Sequence, residues 1–361
     1  MIIKVARQNV FSAWGHVKKN SRTRELKNSR IGVTLLIGLV AASLLAFSTQ
    51  DDEEIVASRF FAATALGPYE SHDWGEEWHP MSSRLPGRVR AFACRGPRAF
   101  AAGVDGVYDS TNHGFSWSRM ASWNGGEATT IITSSYFPVE PVIFAGTNNS
   151  LYRSRDSGVS WQRIGGDAIQ GAVSFISWPG PALFVATSRG LFRSDDGGDT
   201  WAELEEGLPN APVLSMAMSR FFGQDPIAFV GTDGEGIYRT RDGGKTFESI
   251  EGPGKRVFGL LWWGASLFAG TDRGAFVSVN LGEEWESLAD ETEGIDVYTI
   301  HVPAPDSPTG GDIILGTERG VYKSSTGGLS WRHLTNGLEP VAVYGFGNFP
   351  IPTAPIEKSE E

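Results

Sequence analysis

Seven near-copies of one eight-residue turn, 38–46 residues apart in a chain of 361, predict an all-β fold: a seven-bladed β-propeller with one four-stranded blade per copy. The copies are SHDWGEEW from Ser71, STNHGFSW from Ser110, SRDSGVSW from Ser154, SDDGGDTW from Ser194, TRDGGKTF from Thr240, SVNLGEEW from Ser278 and SSTGGLSW from Ser324. Composition agrees, since 45 glycines and 12 tryptophans suit tight turns between aromatic-packed strands better than a helical bundle. With 40% hydrophobic and 20% charged residues, the chain is neither mainly disordered nor a polytopic membrane protein.

Each turn position has a physical task. The opening Ser or Thr and the third-position Asp or Asn can bond backbone N–H groups across a tight turn, and the fifth-position Gly supplies a positive φ. That Gly stands in all seven copies, and the eighth position is Trp in six and Phe247 in the fifth. A large aromatic therefore always opens the strand after the turn, and burying one such ring is worth about 4–6 kcal/mol.

Upstream of each turn, two short strands meet at a polar turn, as in ALFVATSRGLFRS ending at Ser194. Before those comes an alternating apolar run, such as Val173 to Trp178, Val213 to Met218, Val257 to Trp263 or Val297 to Val302. Every blade then reads A-B-C-D, with the repeated turn joining C to D. The first copy has room for strand B (Arg59 to Thr64) and strand C (Gly67 to Ser71) but none for strand A, while Val341 to Phe346 near the other end looks like a strand A without a blade. The expectation is that this last strand completes blade one and closes the ring, leaving no open sheet edge.

The N-terminal region differs in kind. Residues 1–30 are basic, residues 31–47 read IGVTLLIGLVAASLLAF without a charge, and Asp51 to Glu54 follow. Basic residues remain cytoplasmic, so the segmentation expected is a basic cytoplasmic segment (1–30), a transmembrane signal-anchor (31–48), a linker (49–58), an exoplasmic propeller (59–350) and a flexible tail (351–361). Cleavage after Ser48, giving a secreted chain, is the alternative.

Of 31 Lys/Arg and 42 Asp/Glu, eight bases and one acid fall in residues 1–50, which leaves 23 bases and 41 acids for the rest. So acidic a body repels phosphate backbones, so no nucleic-acid partner is expected. The single Cys94 excludes an intramolecular disulfide and every cysteine-rich zinc pattern. With only six His and no HExxH, neither a metal nor any other cofactor is expected.

The S-x-D-x-G-x-[ST]-W unit resembles the Asp-box, or BNR repeat, and the resemblance runs from residue 59 to residue 346. Similar boxes occur in sialidases, xyloglucan-cleaving glucanases, sortilin-type receptors and the photosystem II assembly factor family, so the likeness implies a fold and not an activity. In these families the boxes lie opposite the active or binding centre. That implies a structural role for the third-position residues Asp73, Asn112, Asp156, Asp196, Asp242, Asn280 and Thr326, of which Thr326 departs furthest from the pattern.

The face to interrogate is then the one built from B-to-C turns and D-to-A loops. Its candidates for a ligand or partner are Asp105, Arg189, Asp233, Glu235, Asp272, Arg273, Glu318 and Arg319 on turns. Trp123 joins them in the loop MASWNGGE, where an exposed indole would stack on a sugar or a partner's side chain, the alternative being that it packs beneath the loop. Arg84, Arg88, Lys255, Arg256 and Asp296 lie on neighbouring loops. Sialidase-like catalysis needs an arginine triad and a Tyr nucleophile with a carboxylate. The nearest Arg-Ile-Pro element, Arg84-Leu85-Pro86, follows the first box instead of preceding it. Glucanases of the xyloglucan type resemble two rings holding a cleft, and one ring is present here. The expectation is a non-catalytic, membrane-anchored propeller that binds a protein or glycan on the exoplasmic side, with glycoside hydrolase as the alternative.

Overall fold

The computed structural model describes residues 59–348 except Pro86, Pro179, Pro181, Arg220 and residues 303–311. The basic segment, anchor, linker and tail expected from the sequence lie outside the described residues. Within them, seven four-stranded antiparallel sheets form an all-β, seven-bladed propeller. The inner strands, in blade order, are Val343–Asn348, Val89–Arg95, Ala128–Thr133, Val173–Ser177, Val213–Met218, Val257–Trp263 and Val297–His301, and each stands beside the next in a closed ring.

Ring closure is as the sequence implies. The inner strand of blade one is Val343–Asn348, which pairs antiparallel with Phe60–Thr64, so the chain's last strand completes its first sheet. It begins two residues later than expected. The second strand of a blade is covered by sheets on both faces, and Phe60–Thr64, Ile143–Thr147, Leu183–Thr187, Ala228–Thr232 and Ile313–Thr317 are accordingly buried at every position. The hydrophobic core lies between blades: Phe60 and Ala62 of blade one pack with Ile314 and Val321 of blade seven, and Phe100 of blade two with Ile143 of blade three.

The seven repeated turns share one hydrogen-bond network. The first-position hydroxyl accepts the N–H of the fifth-position Gly at 2.7–2.9 Å in every copy. The third-position oxygen accepts the seventh-position N–H at 2.8–3.0 Å, and Thr326 does so with its hydroxyl as well as the carboxylates do. Its departure from the pattern leaves the geometry intact. The fourth position is also left-handed, with φ of 59° at Trp74, 55° at His113, 58° at Ser157 and 60° at Leu281, while Gly197, Gly243 and Gly327 fill it in the other three copies. The eighth-position rings are fully buried only at Trp78 and Phe247; the other five are half-buried.

The fourth-position carbonyl is also where blades meet. Arg153 Nη1 donates to Gly197 O (2.6 Å), Arg193 Nη1 to Gly243 O (2.7 Å), Arg239 Nη1 to Leu281 O (2.9 Å) and Lys323 Nζ to Trp74 O (3.1 Å), each from one blade to the turn of the next. Arg98 reaches Ser157 O (3.5 Å), and Arg59 reaches the fifth-position Gly114 O (3.2 Å). Lys323, buried itself, also pairs with the buried Asp312 at 3.2 Å.

Deleting everything from Pro340 onward, which strips blade one of its inner strand, is expected to lower the melting temperature of the whole domain, while deletion from Ile351 leaves it unchanged; equal melting by circular dichroism would contradict this closure. A second expectation concerns acid. Hydrogen bonds from the Thr246 backbone and hydroxyl hold the Asp242 carboxyl down at about 2. A depressed folded pKa stabilises fully above the unfolded value and is lost as pH falls through the folded one. The urea-midpoint difference between wild type and Asp242→Asn should therefore be largest above about pH 4 and vanish towards about pH 2.

Candidate functional site at the channel mouth

One irregularity recurs in every blade. Beside the buried first residue of each inner strand the register with the second strand slips by one, and the extra residue is Arg90, Thr129, Ser174, Leu214, Phe258, Tyr298 or Tyr344. A bulge leaves its extra residue out of the ladder and re-aims the side chain. These seven residues thereby stand at the end of the ring where the B-to-C turns and D-to-A loops lie. Glycine in the second strand allows this close approach: a Cβ at Gly270 would come within 2.5 Å of Val297 O, and one at Gly316 within 2.7 Å of Val343 O.

The ring is not uniform. Across blades six, seven and one, Phe258 packs edge-on to Tyr298 with centroids 5.1 Å apart, and Tyr298 packs against Tyr344 at 5.4 Å. Tyr344 is 40% exposed. The Arg256 guanidinium lies 4.9 Å above the Phe258 ring and pairs with Asp233 at 2.7 Å. Asp233 raises the pKa of Arg256 through that hydrogen bond, and Asp296 and Asp272 add to it. The Tyr298 hydroxyl approaches Asp296 Oδ2 at 3.4 Å, and burial, then Asp296, Tyr344 and Glu318, push its pKa up. On the other side, Arg90 pairs with Glu127 at 3.1 Å, Asn148 Nδ2 donates to Glu127, and the Thr129 and Ser174 hydroxyls bond the next blade's backbone. The mouth is thus aromatic and acidic on one side and polar on the other.

The turn candidates stand around this ring. Arg189, Arg273 and Arg319 occupy the same place in their turns, each backbone N–H donating to the hydroxyl of a preceding threonine (Thr187, Thr271, Thr317) at 3.0–3.1 Å. All three side chains are exposed. Arg189 reaches Gln170, Arg319 lies 3.6 Å from Glu318, and Arg273 borders a groove of about 520 Å³ with Asp290 and Glu293. Asp105 and Glu235 are exposed, and Asp233 and Asp272 are half-buried beside Arg256.

Trp123 requires a correction. Its loop lies between blades as expected, but the indole is only 4% exposed and its Nε1 donates to Gly126 O at 2.7 Å, folding the loop over the ring. Trp161 packs edge-on to the indole at 5.0 Å, and Tyr152 lies tilted against the same ring at 4.9 Å. Trp123 is an inter-blade core residue with no face for a ligand. Arg84 is likewise engaged, by the buried Glu70. The bulge ring as a set was missed, although a signal for it exists: a Val or Ala opens every inner strand, and the residue after it varies in kind.

No protein-family model matches the chain, and no curated protein does. Solved structures do. YCF48 bound to a D1 peptide superposes with a TM-score of 0.57 at 17% identity, over 78% of this chain and 95% of that one. YCF48 from Cyanidioschyzon merolae gives 0.57 at 15%, over 75% and 92%. The GH74 xyloglucanase of Xanthomonas campestris gives 0.61 at 15% over 78% of this chain, which spans only 53% of that enzyme's length.

Trp123→Ala is expected to cost about 3–5 kcal/mol in urea unfolding, as a buried indole lost from a core does; a cost under about 1 would return the ring to the surface. In fold, the chain is a seven-bladed β-propeller of the kind shared by YCF48 and the xyloglucanases.

Proposed function

We propose that this chain is a non-catalytic propeller, held at a membrane by residues 31–47 on the exoplasmic side, that binds an extended segment of a partner protein across the channel mouth. The observation that carries the reading is the bulge ring, which puts an exposed tyrosine, two further aromatics and paired charges at one end of a rigid body. Aromatic anchors that lose little side-chain entropy, rimmed by charges, are the usual makings of a protein-binding hot spot. A YCF48 propeller solved with a D1 peptide supports a polypeptide as the occupant. The acids around Arg256 and Tyr298 favour a segment carrying a basic side chain beside an apolar one.

Glycoside hydrolysis has one observation in its favour, the Tyr298 hydroxyl within 3.4 Å of a carboxylate. Burial and the surrounding acids raise the pKa of Tyr298, so in this reading its deprotonation would rest on Asp296 acting as base.

The test is recovery of partners from detergent-solubilised membranes by the full chain. Tyr344→Ala and Arg273→Glu should each lower recovery of a specific partner about tenfold with unchanged melting, as loss of a hot-spot contact does. Recovery equal to wild type in both would remove the mouth as the site. Release of reducing sugar or sialic acid from a glycan panel, abolished by Asp296→Asn without unfolding, would replace the binding reading with the hydrolytic one.

A further inference from the structure

The face opposite the mouth carries the repeated turns and the A-to-B connections, and it is uneven. Among the described residues, Phe115 (57% exposed), Tyr136 (76%), Val139 (91%) and Val159 (76%) protrude together from this face in blades two and three, while Phe221, Val279 and Leu329 stand exposed one to a blade in blades five, six and seven. They form a neighbouring set. Phe115 and Val159 are the sixth residues of successive turns, Tyr136 and Val139 lie in the A-to-B loop of blade three, and Ser157 N donates to Pro141 O (2.9 Å) to hold that loop against its turn. Arg98 joins blade two to blade three through Ser157 O. Acids do not dominate here, since Arg95, Arg98 and Arg155 accompany Asp109, Glu140 and Asp156, whereas in blades four to six Asp195, Asp196, Asp199, Asp242, Glu283 and Glu284 outnumber Arg193, Arg241 and Lys245.

The propeller also begins at this patch. Phe60 is in register with Ser71, the first residue of a repeated turn, so the first strand starts at this face. Arg59, immediately before it, stacks its guanidinium 3.6 Å from the Phe115 ring. Residues 48–58, eleven in all, separate Arg59 from the apolar run 31–47, and eleven residues reach at most about 40 Å fully extended.

We propose that the blade two and blade three sector of the turn-bearing face, centred on Phe115, Tyr136, Val139 and Val159, rests in the lipid–water interface of the bilayer that residues 31–47 cross. The inference builds on the anchor in the proposed function. A tyrosine and three apolar side chains, flanked by arginines, have the chemistry of interfacial contact, in which the rings and aliphatic groups enter the headgroup region and the guanidinium groups stay at its surface. A tether of at most about 40 Å raises the effective concentration of this face at the bilayer, so that the contact forms as an intramolecular event. The channel mouth then points away from the membrane.

The experiment uses the full chain reconstituted in phosphatidylcholine vesicles, with an environment-sensitive fluorophore on a single introduced cysteine and nitroxide-labelled lipid as quencher. The native Cys94, half-buried on an inner strand, is replaced (Cys94→Ser) in every variant so that the label goes only to the introduced site. Probes at Val139→Cys and Val159→Cys should lose about half their emission to the lipid quencher, while probes at Glu284→Cys on the acidic sector and Glu235→Cys at the mouth should keep theirs. Unquenched probes at 139 and 159, in a chain that floats with the vesicles, overturn the placement and leave the anchor standing. Disulfide cross-linking of Val139→Cys between two chains without quenching also overturns it, because a second copy then covers the patch. A chain that does not float overturns the anchor itself, and the placement with it.

Discussion

The architecture depends on how one carbonyl is used. In the repeated turn the fourth residue is left-handed, and in five of the seven turns its carbonyl accepts a cation from the preceding blade: Arg98, Arg153, Arg193, Arg239 or Lys323. The same short sequence therefore shapes the C-to-D connection and fixes the spacing of adjacent sheets. Buried guanidinium and ammonium groups are costly unless paired, and these have both a carbonyl and a carboxylate: Arg153 pairs with Asp199, Arg239 with Glu248 and Glu283, Lys323 with Asp312 and Glu76. The other two junctions differ: Arg59 donates to the fifth-position Gly114 O at 3.2 Å, and the Trp331 indole donates across to Leu288 O at 2.9 Å.

A rigid ring permits an irregular mouth. The bulges at Arg90, Phe258, Tyr298 and Tyr344 interrupt the ladder only at the inner-strand ends, where no other strand depends on them. Because the inner strand of one blade touches the next, a side chain re-aimed there meets its neighbour's, as Phe258, Tyr298 and Tyr344 do. The scaffold thus places residues far apart in sequence on one surface without requiring any loop to be long or ordered by itself.

What was readable in the sequence was what repeats locally. The hydroxyl, carboxylate and glycine of each turn act within eight residues, so their roles follow from spacing, and inner strands such as Val213–Met218 and Val257–Trp263 follow from alternation. The left-handed fourth position was equally local, and Gly197, Gly243 and Gly327 advertise it. Relations between blades were not readable. Nothing around Trp123 announces that Trp161 and Tyr152 cover it, and nothing around Arg153 announces that it serves the carbonyl of Gly197, because both depend on the angle at which one sheet meets the next.

The strand that closes the ring also carries Tyr344, the most exposed residue of the aromatic quadrant. Synthesis runs from the first blade towards the last, so blade one waits with an unpaired edge until Val343–Asn348 has been made. Until then, the quadrant lacks its third aromatic and Phe60 lacks the ring of Phe346 stacked at 5.1 Å. Completion of the fold and assembly of the aromatic side of the mouth are consequently one event, and an unfinished chain has no complete mouth.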